Sequence, residues 1–126
     1  MNGYVANIVE KSLQNKNFRH VLFTGTKMQL VVMSLLPGEE IGEEVHPTVD
    51  QFFRIEEGIA TVIIDGEEQI VVDDDVIIVP AGATHNLINT GTGVVKLYTI
   101  YTPPNHPEGT VHVTKAEADE AEEHHS

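Results

Sequence analysis

Gly38-Glu-Glu-Ile-Gly-Glu-Glu44-Val-His46-Pro-Thr-Val-Asp-Gln51-Phe-Phe-Arg-Ile-Glu-Glu-Gly58 is the stretch on which the reading of this chain turns. Glu44 and His46 are two residues apart, so on an extended strand both side chains leave from one face. Gln51 opens a second run in which it shares a face with Phe53 and Ile55, while Phe52, Arg54 and Glu56 point the other way. A second stretch, Pro80-Ala-Gly82-Ala-Thr-His85-Asn-Leu-Ile-Asn89, delivers another histidine from a Pro/Gly turn into a strand. His85, Leu87 and Asn89 share a face there.

If these faces line one interior, Glu44, His46, Gln51 and His85 converge. Imidazole and carboxylate are the usual ligands of borderline divalent metals, and an amide oxygen adds a weaker one. Two histidines and a carboxylate leave open positions for water or substrate, as in non-haem iron sites. Each residue also has a plainer reading. His46 and His85 fit hydrogen-bonded barrel histidines, Glu44 a solvated loop carboxylate beside Glu39, Glu40 and Glu43, and Gln51 an interior amide.

The flanking sequence reads as strands. His20-Val-Leu-Phe-Thr and Met28 to Leu36 are two, the second apolar on both faces as in a strand packed between layers. Val5 to Glu10 is expected to form a short strand, followed by a polar connection over Ser12 to Phe18. Asp65-Gly66 between the β-branched runs Ile59–Ile64 and Glu67–Val72 is a hairpin signal, because a type I′ turn needs positive φ at both central residues. Val76–Val79 reads as a short buried strand, and Thr84–Asn89 and Val94–Thr102 as two more. Pro103, Pro104 and Pro107 are expected to close the sheet. Strands at this spacing with almost no helix indicate a single all-β domain over residues 1–113, with N-terminal strands. Residues 114–126 form a short acidic tail, helical or disordered, in which Thr114 can cap and Glu117 sits at the capping-box position.

The 126 residues carry 7 Lys and Arg against 20 Asp and Glu, a formal net charge of −13. Such a chain repels phosphate backbones, so nucleic acid is not an expected partner. Its few cations (Arg19 and Arg54 among them) are scattered in sequence, so no anion clamp is visible and a neutral or weakly polar substrate is expected. There are no cysteines, which removes disulfides and thiolate ligands. No apolar run of membrane-spanning length and no signal-peptide pattern occurs, so a soluble cytoplasmic protein without membrane partners is expected.

The two stretches resemble the paired motifs of the cupin superfamily. The first motif, G-x5-H-x-H-x3/4-E-x6-G, is matched in spacing by Gly38, Glu44, His46, Gln51 and Gly58. The second, G-x5-P-x-G-x2-H-x3-N, is matched by Asp74, Pro80, Gly82, His85 and Asn89. Three positions depart: Glu44 replaces a histidine, Gln51 a glutamate and Asp74 a glycine. The resemblance implies a small cupin β-barrel (a jelly roll, or double-stranded β-helix) with a divalent transition metal (Mn, Fe, Ni or Zn) held by Glu44, His46, Gln51 and His85. The changes Glu-for-His and Gln-for-Glu leave the formal ligand charge unchanged. The resemblance further implies an isomerase, lyase or dioxygenase acting on a small oxygenated molecule, with sugar-phosphate isomerases of the mannose-6-phosphate class as the nearest analogy. Glu44 or a metal-bound hydroxide would move the proton. Small cupins often pair through their sheets, so a homodimer is expected; a non-catalytic metal- or metabolite-binding module is the alternative. His106 and His112 follow the Pro-rich exit and read as surface histidines, with a place at a cavity mouth as the alternative, and Leu97 and Tyr101 read as barrel packing.

Overall fold

A computed structural model describes residues 2–123; His124 and His125, expected to belong to the tail, lie outside them. Ten strands and two short helices follow in the order α1 (Ile8–Gln14), β1 (Arg19–Thr24), β2 (Gln29–Leu35), β3 (Glu44–Val45), β4 (Asp50–Glu57), β5 (Ala60–Ile64), β6 (Glu67–Val71), β7 (Val76–Val79), β8 (Thr84–Ile88), β9 (Val95–Thr102), β10 (Val111–His112) and α2 (Lys115–Glu123). Every strand pairing is antiparallel. The strands form a six-stranded sheet, β10-β1-β2-β9-β4-β7, and a four-stranded sheet, β3-β8-β5-β6. This is the two-sheet all-β architecture expected from the strand spacing.

The period-2 pattern decides which side chains meet between the sheets. On β4 Gln51, Phe53 and Ile55 are buried, and on β9 Val95, Leu97, Thr99 and Tyr101. From the other sheet come Ala60, Val62, His85 and Leu87. On β2 Val31, Met33 and Leu35 join the core, while Val32 and Ser34 on its other face are also covered. The β5–β6 turn has Asp65 at φ 47° and Gly66 at φ 84°, the two positive values a type I′ hairpin demands. Gly58, which ends the first motif, has φ 112°, and a Cβ there would meet the Val94 carbonyl oxygen at 2.9 Å.

Three expectations need correction, and one stated alternative is decided. Residues 5–10 are not a strand: Val5 is exposed, and the chain turns helical at Ile8, where Asn7 Oδ1 accepts from the Glu10 amide at 3.0 Å. A local cap satisfies that amide without needing a sheet edge. The helix is held by packing on β2, β4 and β9, and Lys96 Nζ donates to the Asn15 carbonyl just past its end. Strand β7 is an edge, so only Ile77 and Val79 are buried, and Val76 and Ile78 face outward. The prolines do not end the sheet, because β10 returns beyond them and pairs with β1. Thr114 Oγ1 accepts from the Glu117 amide at 3.1 Å, so the tail is helical over Lys115–Glu123, with Ala118 buried. No helix among the described residues is long and apolar enough to cross a membrane.

Candidate metal centre

Strand β3 is two residues long, and it places the site by pairing with β8: Glu44 is the Cα partner of His85. Residues opposite one another across an antiparallel ladder project to the same face. His46 follows immediately, its carbonyl accepting from the Gly82 amide at 2.9 Å, so the loop leaving β3 is tied to the turn that enters β8. His46 Nε2 lies 3.0 Å from Glu44 Oε2. The His46 ring is 5.4 Å from the His85 ring and 6.0 Å, edge-on, from Tyr101. Gln51 comes from the facing sheet, where it is the Cα partner of Tyr101 across β4–β9 and its Nε2 donates to Thr99 Oγ1 at 3.0 Å.

These buried groups are incompletely satisfied. Neither ring nitrogen of His85 makes a hydrogen bond of good distance and angle, though the Ala83 backbone lies close enough to favour its protonated form, and the Gln51 carbonyl oxygen has no partner either. His46 Nε2 approaches Glu44 without the alignment of a hydrogen bond. Buried polar atoms are rarely left so, and a cluster of them points to a missing partner. Burial holds His85 below the ordinary imidazole value against the pull of the Ala83 backbone and of Glu44, which keeps a lone pair available for a cation. Burial raises the Glu44 carboxyl, but His46, Arg19 and His85 together outweigh it and hold the group below the usual carboxylate value. Imidazole nitrogen, carboxylate and amide oxygen therefore fit a borderline divalent cation in chemistry. In position they are not closed on one point: Glu44 is engaged on His46, and among the described residues no three His, Asp or Glu side chains gather around a common centre.

A cavity of about 470 Å³ opens over Glu44 and His46. Its other walls include Arg19, which the sequence does not single out, and His106 and His112, which take the cavity-mouth alternative rather than the surface position expected of them. Arg19 begins β1, is the Cα partner of His112 on β10, and places Nη1 3.1 Å from His112 Nδ1. His106 Nε2 is 3.2 Å from the Tyr101 hydroxyl. The fully buried Gln29 holds that loop: its Oε1 accepts from the amides of Asn105 and His106, and its Nε2 donates to the His106 carbonyl and to Thr24 Oγ1. Burial, then Arg19, pushes His106 down to about 3, and burial pushes the Tyr101 phenol up to about 12. Both are therefore neutral at physiological pH. Burial and Arg19 also lower His112. Arg54 faces outward as expected, paired with Asp74 at 3.0 Å.

Asn89, last of the second motif, is structural. Its Nδ2 donates to the carbonyls of Leu35 and Gly93, and its Oδ1 accepts from the Gly91 amide.

The family model for the cupin domain matches residues 31–101. The Bacillus subtilis protein YrkC is 51% identical over 126 residues, covering 95% of this chain and 68% of that one. The protein L612 of Acanthamoeba polyphaga mimivirus is 40% identical over 119 residues, covering 91% and 74%. The crystal structure of BH2720 from Bacillus halodurans superposes with a TM-score of 0.91 at 46% identity, covering 93% of both chains.

Proposed function

The chain belongs to the cupin domain family, and from that premise we propose that it is a divalent-metal-binding enzyme acting on a small oxygenated molecule as an isomerase or lyase. The observation that carries the reading is His85: both its ring nitrogens are buried and neither makes a well-aligned hydrogen bond, beside His46 and across the ladder from Glu44. His46, His85, Glu44 and the Gln51 carbonyl oxygen would hold the metal. Lewis-acid polarisation of a carbonyl or hydroxyl oxygen is what a divalent metal supplies when bound.

The chain's own residues supply the rest. Glu44 stays ionised and is an acceptor beside the His46 ring. The Tyr101 hydroxyl and the neutral His106 ring share a hydrogen bond next to His46, which fixes the His106 imidazole on the cavity wall. Phe53 and Leu87 close the inner end against water. Two histidines and one carboxylate also make up the ligand set of non-haem iron oxygenases, which favours a dioxygenase as the second reading.

The proposal extends to a cytoplasmic homodimer without nucleic-acid or membrane partners. Val76 and Ile78 lie exposed on edge strand β7, with Phe52 in register beside Ile78, and this apolar strip supports the pairing.

Metal analysis of protein purified without chelator tests the site. Stoichiometric Mn, Fe, Ni or Zn, lost in His46→Ala, is the expected result; no uptake under saturating Mn, Ni and Zn defeats it. Proton exchange into small hydroxyketones then separates the isomerase or lyase from the dioxygenase, which consumes oxygen instead. Metal without either activity identifies a non-catalytic binding module.

A further inference from the structure

Arg19 is only 6% exposed, and its Nε is buried without a partner. Its Nη1 contacts a histidine nitrogen rather than a carboxylate, and the Phe18 ring lies 5.3 Å from the guanidinium carbon. Among the described residues no Asp or Glu stands within ion-pair distance of it. A guanidinium keeps its charge throughout the ordinary pH range, and a buried charge without a docked counter-ion is costly; Glu44 feels Arg19 across the cavity but pairs with His46 instead. The group nevertheless lines the cavity over Glu44 and His46. Among the described residues no carboxylate docks on its fork.

We propose that this cavity binds a small monocarboxylate, whose carboxylate docks on Arg19 while its remaining oxygen function reaches toward Glu44 and His46. The planar fork of arginine suits a carboxylate. A doubly charged phosphate fits less well, because Glu43, Glu44 and Glu122 line the same cavity and would repel the second charge. His106 and His112, which line the cavity with Arg19, are both lowered and add no positive charge to offset that repulsion. The volume, about 470 Å³, is that of a small-molecule pocket. The expectation of a neutral substrate rested on cations scattered in sequence; the fold brings one of them to the site.

The inference rests on the metal-site reading only for what the far end of the molecule meets, since docking at Arg19 needs no metal. The test is calorimetric titration of the full chain, as purified and after chelator dialysis, with pyruvate and benzoate. Methyl pyruvate and benzamide are the uncharged controls, and inorganic phosphate the rival anion. Both carboxylates are expected to bind saturably and their controls about tenfold or more weakly, with Arg19→Gln erasing the difference and Arg19→Lys retaining part of it. In the unaltered protein, amide shifts on adding benzoate are expected at Arg19, His106 and His112, a readout that does not depend on a variant folding. Equal binding of benzoate and benzamide, shifts elsewhere, tighter binding of phosphate, or an unaffected Arg19→Gln variant overturns the proposal. Carboxylate binding in a protein that takes no metal defeats the metal-centre reading alone; metal uptake without carboxylate binding defeats this inference alone.

Discussion

Glu44 and His85 are Cα partners across the β3–β8 ladder, so a carboxylate and an imidazole from distant parts of the sequence leave the sheet from adjacent positions on one face. The departure from the family's histidine at position 44 therefore falls inside the site. Glu44→Gln preserves size and removes the charge that His46, Arg19 and His85 hold in place. Its affinity for Mn, Ni and Zn, measured by competition with a chromogenic chelator, is expected to fall about tenfold or more. Glu44→His restores an imidazole donor and should retain uptake. A Glu44→Gln variant that loads like the parent would remove Glu44 from the ligand set.

His106 should make stability depend on pH. Its folded value, about 3, lies below the 6.5 of a free histidine. Between those values the unfolded chain takes up a proton that the folded chain refuses, so stability is lost as pH falls from about 6.5 toward 3. His85 and His112, shifted the same way, add to this slope. The expected result is a melting temperature that declines from pH 7 to pH 4, and declines less in His106→Gln. Parallel curves for the two proteins would show that His106 does not carry the effect.

Gln29 is the bolt on the cavity's outer wall. Both amide hydrogens and the carbonyl oxygen are used, and three of the four bonds go to the backbone of residues 105 and 106. Gln29→Leu leaves those partly buried backbone groups without their side-chain partner, which is expected to cost about 1–3 kcal/mol in urea unfolding. It should also free His106 from the Tyr101 hydroxyl, read as a shift of the His106 ring resonances. A loss below about 0.5 kcal/mol would mean that water replaces the amide.

The two motif stretches were legible because strand period and turn chemistry are local. Gln51, Phe53 and Ile55 face inward as a period of two requires, and Asp65-Gly66 turns as its dihedral needs dictate. Even the departure at Asp74 is accommodated locally: it sits at φ 73°, where a glycine is easiest, and its carboxylate pairs with Arg54. The outer half of the site was hidden because it depends on long-range pairing. Arg19 meets His112 only once β10 has returned past three prolines to β1, and His106 faces the cavity only because Gln29 captures its loop. The N-terminal helix was missed for the opposite reason. A single cap at Asn7 decided a segment whose apolar residues, Val5, Ile8 and Val9, suit either state.

Gly58 gives the sharpest test of the barrel itself. Its φ of 112° is one that residues with a side chain rarely adopt, and a Cβ would come within 2.9 Å of both the Val94 carbonyl oxygen and Val95 Cγ2. Val95 is completely buried, so the methyl has no room to move aside without shifting β9, which pairs with β4 just before the turn. Gly58→Ala therefore combines backbone strain with overpacking, each of about 1–3 kcal/mol. A total loss of about 2–6 kcal/mol is expected by urea denaturation. Gly66→Ala also forces positive φ but meets nothing within 4 Å, so it should lose only the strain share, about 1 kcal/mol. Equal losses in the two variants would show that φ alone, and not the contact with β9, selects glycine at position 58.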